Sequence, residues 1–276
     1  MPLISVIIPT YNRKELVGRA IDSVRSQTYT DWELIVVDDA SEDGTGNRED
    51  IAGNDIPLTY IRLPLHRGVA AARNIGVAHS TGSWISFLDS DDVWHRDKLQ
   101  KQVQWLKTHD DFRIFQTREI WIRKGVRVNA PMTHSKIHGF QFKENLTRCM
   151  ITPSSVMMEK KLFLEVGGFN ESLPACEDYD LWLRITSAYP VGLLDEPLLT
   201  RYGGHGDQLS AVVAILDRFR IRSILDLLNG RKLSQEHIEL ARQELVKKAT
   251  IVANGYNKRG KKENGEIYQR LARQYR

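Results

Sequence analysis

Cysteine is nearly absent. Cys149 and Cys176 are the only two in 276 residues, too few for a disulfide framework, and they offer no metal-ligand spacing. Long apolar runs are missing too. No stretch approaches the roughly 18 uninterrupted apolar residues of a membrane-spanning helix, and the N-terminus lacks the basic flank and long apolar region of a signal peptide. No repeat, low-complexity tract or aromatic-interleaved basic motif occurs, which excludes a solenoid and argues against a nucleic-acid partner. Together these absences predict a soluble chain in a reducing cytoplasm, where the sequon Asn145-Leu146-Thr147 has no meaning.

The composition that remains, 41% hydrophobic and 27% charged, can bury a substantial core. The net charge of +4 conceals an asymmetry. Residues 211–276 carry 15 Lys and Arg against 7 Asp and Glu, a net of +8, while residues 1–210 carry 24 against 28, a net of −4. The expected organisation is therefore an acidic body, 1–210, and a basic helical appendage, 211–276.

Leu3 to Pro9 is a continuous β-branched run suited to a central parallel strand, stopped by Pro9. Asn12 with Glu15 resembles a capping box, and Leu16, Ala20 and Val24 recur at helical spacing. Glu33 to Val37 reads as a second strand running into Asp38-Asp39, Thr45 to Ile51 as a short helix, and Leu58 to Leu63 as a third strand. Gly68 to Ala78 reads as a helix whose small residues let it lie close to the sheet or a ligand, with Arg73 its one strong charge. This alternation implies a parallel, doubly wound α/β sheet. Further on, Arg113 to Arg123 and Ser155 to Glu159 look extended, Leu181 to Ala188 helical, and three amphipathic helical patterns fill 210–228, 234–254 and 257–275.

Trp84 to Val93 carries the chemistry. An apolar strand empties into Asp89, Asp91 and Asp92, too much charge to sit unpaired in a core. In an open α/β sheet ligands bind beyond the carboxyl ends of the strands, and carboxylates there suit a hard cation such as Mg²⁺ or Mn²⁺. A turn capping the helix expected over His95 to His109 is the plainer alternative. Asp38-Asp39 falls at another strand end on the same edge, which supports a cleft.

Ser-Val-Ile-Ile-Pro-Thr-Tyr-Asn at 5–12, Glu-Leu-Ile-Val-Val-Asp-Asp at 33–39, Ala-Ala-Ala-Arg-Asn-Ile-Gly at 70–76 and Phe-Leu-Asp-Ser-Asp-Asp at 87–92 occur in that order. With Gly-Gly-Phe at 167–169 and Glu-Asp-Tyr-Asp-Leu-Trp-Leu-Arg at 177–184, the chain over roughly 3–210 resembles the inverting GT-A-fold glycosyltransferases of family two. The resemblance implies a Rossmann-like, mainly parallel sheet flanked by helices. It also implies transfer of a sugar from a nucleoside-diphosphate sugar, UDP-linked by preference, to a glycan or lipid-linked acceptor of cell-surface polysaccharide synthesis. By the same resemblance Pro9, Thr10, Tyr11, Asp39, Arg73 and Asp89 contact the donor, Asp91 and His205 hold Mn²⁺ or Mg²⁺, and Asp178, supported by Glu177, is the base. Gly168 and Trp182 fall on the acceptor side; the alternatives are core packing for Trp182, packing over the strand end for Tyr11 and a salt bridge to the local acids for Arg73. A helix N-terminus also suits Asp178, since it keeps a carboxylate ionised. The basic tail, with Lys258, Arg259, Lys261 and Lys262 close together, is expected to give peripheral contact with an anionic membrane face.

Other classes fit less of the chain. Asp89-Ser90-Asp91-Asp92-Val93 also fits a haloacid-dehalogenase-like phosphohydrolase using Asp89 and Asp91, but that strand should then open its domain, and three strand candidates precede it. A dehydrogenase is disfavoured because Pro-Thr-Tyr-Asn replaces the glycine-rich turn after the first strand. A non-catalytic nucleotide-sugar-binding protein should have lost the base or the metal acid, and both are present.

Overall fold

Ile4–Thr10 forms β1, buried along its whole length at the centre of the parallel part of the sheet. The structure, a computed structural model, describes residues 3–48, 51, 58–129, 134–204, 215–230 and 232–276. β1 pairs in parallel with β2 (Trp32–Asp38) and β4 (Trp84–Phe87), and β3 (Leu58–Arg62) lies parallel beyond β2. Helices α1 (Lys14–Arg25) and α2 (Val69–His79) connect this part. A Cβ on Gly76 of α2 would come within 2.4 Å of the Ile7 side chain, so the small residues do bring that helix hard against the sheet.

The sheet then turns mixed. β8 (Val156–Glu159) runs antiparallel between β4 and β6 (Ile114–Arg123), and β9 (Gly192–Gly203) lies parallel to β6 and antiparallel to the short β5 (Val93–Trp94). β7 (Val126–Val128) folds back on β6, and the spatial order is β3-β2-β1-β4-β8-β6-β9-β5. This is the GT-A-type α/β sheet expected from the sequence. Ile4, Val6 and Ile8 pack on one face against α1, and Ile7 with Phe87 on the other against Phe163, Phe169 and Trp182.

The remaining helices are α3 (Lys98–Leu106), α4 (Phe142–Thr147), α5 (Lys160–Val166), α6 (Glu177–Thr186), α7 (Asp217–Gly230), α8 (Gln235–Lys258) and α9 (Lys262–Gln274). Ile221 and Ile224 of α7, Leu245 and Val252 of α8 and Ala272 of α9 share one apolar cluster with Phe142 and Leu146 of α4 and Tyr179 and Leu183 of α6. The C-terminal helices thus cover the back of the helix that carries Glu177 and Asp178. Among the described residues, no helix is long and apolar enough to cross a membrane.

Three local expectations change. Pro9 does not stop β1; it pairs with Val37 in register, and β4, on its other side, ends its pairing at Phe87 opposite Ile7, so no ladder hydrogen bond is missing. Asn12 does not cap α1. It takes φ 51°, its amide N–H donates to Ser41 Oγ (2.8 Å) and its side chain accepts from Glu42 N–H (2.8 Å), fastening one strand-end loop to the next. The helix expected from His95 starts at Lys98, because Val93 and Trp94 join β9 as a strand. Ser234 does cap α8, accepting from His237 N–H.

Candidate active site

Because β1, β2 and β4 run parallel, the loops after Thr10, Asp38 and Phe87 emerge on one edge. Asp39, 2% exposed, accepts the backbone N–H groups of Arg67 and Gly68, each at 2.7 Å, and His66 Nδ1 lies 2.9 Å from it. The His66 ring stacks on Tyr11 at 4.0 Å. Asp39 therefore fixes the loop that enters α2 and stands beside an exposed aromatic face. Asp38 points elsewhere, accepting from Ser41 N–H and the Tyr60 hydroxyl. Thr10 is buried, and its Oγ1 has no hydrogen-bond partner among the described residues.

Arg73 joins two distant segments. It donates from Nη2 to Asp89 Oδ1 (2.6 Å) and from Nη1 to Glu177 Oε1 (2.7 Å). Burial works against its charge, but Asp89 and Glu177 outweigh it and hold the guanidinium above its ordinary pKa. Burial, then Asp178, pushes the Glu177 carboxyl up, with Arg73 opposing. Cys176, at φ 64°, turns the chain into α6 so that Glu177 faces Arg73 and Asp178 faces the other way. Asp178 Oδ1 accepts from Tyr179 N–H at 2.7 Å, and the Cys149 thiol donates to Oδ2 at 3.4 Å.

The three acids after β4 part company. Asp92, 2% exposed, accepts from Ser154 Oγ (2.7 Å) and Tyr202 N–H (3.1 Å), tying this turn to β9 as a structural acid. Asp89 and Asp91 keep 31% and 17% of their side-chain surface, and Arg13 Nη1 lies 3.6 Å from Asp91. Burial, then Asp89, pushes the Asp91 carboxyl above the usual range, with Arg13 opposing. Among the described residues no set of three or more His, Cys, Asp or Glu is placed to hold a metal. His205 lies outside them.

Two acceptor-side expectations are corrected. Trp182 is 0% exposed, packed in the core beneath Phe169, so it presents no wall to a sugar. Gly168 is also buried: at φ 66° its N–H donates to Phe163 O, its carbonyl accepts from Arg184, and it closes a turn with no open face. The residues lining the cleft beside Asp178 come instead from scattered positions, among them Trp121 and Arg123 of β6, Arg148, Arg201 of β9 and Arg220 of α7. None was singled out from the sequence. Arg13, Ser154 and Cys149 were missed likewise, because no local spacing marks them.

Residues 5–167 match the family described as glycosyl transferase family 2, and residues 125–212 one described as glycosyltransferase like family 2. An uncharacterized glycosyltransferase of Rickettsia felis is 34% identical over 224 residues, 77% of this chain and 36% of its own length. The chain thus spans about a third of that relative. The Escherichia coli protein UDP-Glc:alpha-D-GlcNAc-diphosphoundecaprenol beta-1,3-glucosyltransferase WfaP is 32% identical, with 76% of this chain and 81% of that protein covered. Among solved structures, S. aureus TarS 1-349 in complex with UDP-GlcNAc superposes with a TM-score of 0.74 at 16% identity, covering 98% of this chain and 91% of that one. That likeness bears on the fold.

Proposed function

The chain belongs to glycosyl transferase family 2, and from that premise we propose that it moves a sugar, with inversion, from a nucleoside-diphosphate sugar to an acceptor hydroxyl. The acceptor is a glycan or lipid-linked saccharide of cell-surface polysaccharide synthesis. The observation that carries this reading is Arg73, which draws Asp89, at the end of β4, and Glu177, beside Asp178, into one buried junction. Donor-side and acceptor-side acids are thereby held against each other.

Tyr11 offers a face for the nucleobase, with Pro9 and Thr10 in the strand end beneath it. Asp39 keeps lone pairs beyond those its backbone partners use, and uracil N3–H is a donor that suits them, which favours a uridine nucleotide. Mg²⁺-type cations bind through one or two carboxylates plus substrate phosphates, and the partly exposed Asp91, with Asp89 shaping its surroundings, fits that requirement. His205 is the proposed further ligand. Mn²⁺ or Mg²⁺ bound there supplies charge neutralisation for the departing diphosphate. Asp178 takes the proton of the acceptor hydroxyl as its oxygen bonds to the anomeric carbon, and the carbon–oxygen bond to the diphosphate breaks on the opposite face.

Residues 1–210 form the catalytic unit in this reading, and 211–276 a helical region that meets an anionic membrane at the cytoplasmic face. Lys258, Arg259, Lys261 and Lys262 are all exposed, which supports that contact.

The test pairs donor binding with transfer. Thermal stabilisation by UDP should require Mn²⁺ and be lost in Asp91→Asn, whereas Asp178→Asn should keep it while lowering kcat by about 10² or more. Transfer by Asp178→Asn at the wild-type rate would remove Asp178 as the base. Binding without any turnover in the wild type would favour a nucleotide-sugar-binding protein.

A further inference from the structure

The two cysteines, far apart in sequence, both end beside the proposed base. Cys176 turns the chain into α6, and Cys149, in the stretch after α4, is half-buried and lines the cleft with Asp178. That stretch is fastened both to α6 and to the C-terminal helices: the Tyr179 hydroxyl donates to Leu146 O at 2.7 Å and Lys248 Nζ to Thr147 O at 3.1 Å. Asp178 uses its two oxygens differently. Oδ1 accepts the Tyr179 N–H at 2.7 Å, while Oδ2 lies 3.4 Å from Cys149 Sγ, and the same sulfur lies 3.4 Å from Ile151 O. One S–H serves only one of those acceptors at a time. Burial, then Asp178, pushes the Cys149 thiol well above its ordinary pKa, so at neutral pH it stays an S–H donor and is no thiolate nucleophile.

We propose that Cys149 is a positioning residue for Asp178, its thiol donating to Oδ2 while the carboxylate awaits the acceptor proton and turning to the Ile151 carbonyl once Oδ2 has taken it. This rests on the glycosyl-transfer reading, with Asp178 as the base, and adds the residue that aims it. No proton leaves the sulfur. The acceptor O–H proton passes to Oδ2, and the acceptor oxygen keeps the electron pair with which it bonds to the anomeric carbon. The new Asp178 O–H then donates to a lone pair on Sγ, and the S–H rotates about the Cβ–Sγ bond to Ile151 O. Both protonation states of the base are thereby hydrogen-bonded with no backbone movement. The weakness of the thiol is what suits it to this place. A hydroxyl on Oδ2 would favour the charged carboxylate more strongly and make it a poorer base, whereas S–H aims the oxygen and leaves its basicity.

The other charged or titratable groups around Asp178 are Cys176 and Glu177 on its own helix, Arg73 from α2, Arg123 from β6, Arg201 from β9, Arg220 from α7, and His134 and Arg148 between β7 and β8. The arginines keep their charge at every pH of the test. The experiment measures kcat for transfer against pH in the full chain, with saturating donor and acceptor, for the wild type, Cys149→Ser and Cys149→Ala. Loss of kcat toward acid reports protonation of the base, and a donor on a carboxylate favours its charged form. Cys149→Ser should therefore move the acid limb to lower pH and Cys149→Ala to higher pH, each by about half a unit or more. The plateau kcat should fall in both, with donor KM and Mn²⁺-dependent stabilisation by UDP unchanged. An acid limb that stays at the wild-type pH in both variants would overturn the inference. The wild type gives a second reading that needs no change at position 149: the infrared S–H stretch should shift on acidification, and that shift should vanish in Asp178→Asn. A stretch indifferent to pH, or one that shifts equally in Asp178→Asn, would overturn the inference as well. Transfer by Asp178→Asn at the wild-type rate is a separate failure, that of Asp178 as the base, and is read without any Cys149 variant.

Discussion

Arg73 keeps only 4% of its side-chain surface and lies between Asp89 and Glu177, whereas Arg201 keeps 44% and Arg123 stands exposed at the end of β6, both lining a cleft in which Asp178 is the one acid among the described residues. Arginine is used in two ways within one site. At Arg73 its charge is neutralised inside the protein and serves to join the end of β4 to α6. Around the cleft the charges are shared with acids outside its lining, Arg201 with Glu119 and Arg220 with Asp217. The first kind of charge is sealed into the fold, whereas the second keeps a solvent-facing side.

The largest effect that tests this contrast is on stability. Arg73→Gln leaves Asp89 and the buried Glu177 without their shared cation, and breaking a buried ion pair by removing one partner destabilises by about 3–5 kcal/mol. Arg123→Gln, at an exposed position, should stay within about 0.5 kcal/mol of the wild type. Urea unfolding of the two variants measures both. Similar losses would erase the distinction.

The acid-bearing strand ends were legible in the sequence because their signals are local. Asp38-Asp39 and Asp89 to Asp92 each follow directly on an apolar strand, and parallel pairing then sets them on one edge. The junction was not legible in the same way: Arg73 and Glu177 are 104 residues apart, and the resemblance assigns Arg73 to the donor and Glu177 to the base without pairing them. Trp182 failed for a different reason. Both faces of α6 are covered, Leu181, Trp182 and Ile185 by the sheet cluster and Tyr179 and Leu183 by the C-terminal helices. Such a helix leaves open only its N-terminal end, where Asp178 stands, and Trp182 lies a turn further in. Arg148, Arg201 and Arg220 carry no signal at all, since nothing in their neighbours tells that they converge.

Glu119, paired with Arg201 behind the cleft, shifts the opposite way from Asp91 and Glu177, and it sharpens the comparison at the next smaller scale. Burial disfavours the charge of Glu119, but Lys136 at 3.2 Å, Arg201 at 3.7 Å and the Trp121 indole N–H at 2.6 Å outweigh that and bring its carboxyl down to about 2, from an ordinary 4.5. A carboxyl lowered on folding adds stability that is full above its unfolded value and is lost as pH falls through its folded one. The window is therefore from about pH 4.5 down to 2, and the contribution at neutral pH is about 3 kcal/mol. Glu119→Gln should be less stable than the wild type at pH 7, with the gap closing across that window in Tm measurements. A gap that stays constant with pH would show that Glu119 holds its neighbours through shape and hydrogen bonding alone.

The smallest effect probes how the loops after β1 and β2 are stitched together. Helix α1 begins without a side-chain cap of its own, for Arg13 at its N-cap makes no such bond. The cap comes from the loop after β2, where Asp43 Oδ2 accepts from Lys14 N–H at 2.9 Å and Oδ1 accepts from Thr45 N–H at 3.0 Å. One carboxylate thus holds the start of α1, just past Tyr11, to the loop that follows Asp39. Replacing a capping Asp by Ala costs about 1 kcal/mol, and Asp43→Asn, which keeps an acceptor oxygen but not the charge at the helix N-terminus, should cost less than half of that. Because Tyr11 and Asp39 flank the proposed nucleobase position, Asp43→Ala should also raise the donor KM several-fold with little change in kcat, the pattern of lost ground-state binding. If the stability falls but the donor KM does not move, the cap belongs to the fold alone and the two loops are positioned by Asn12, Ser41 and Glu42 instead.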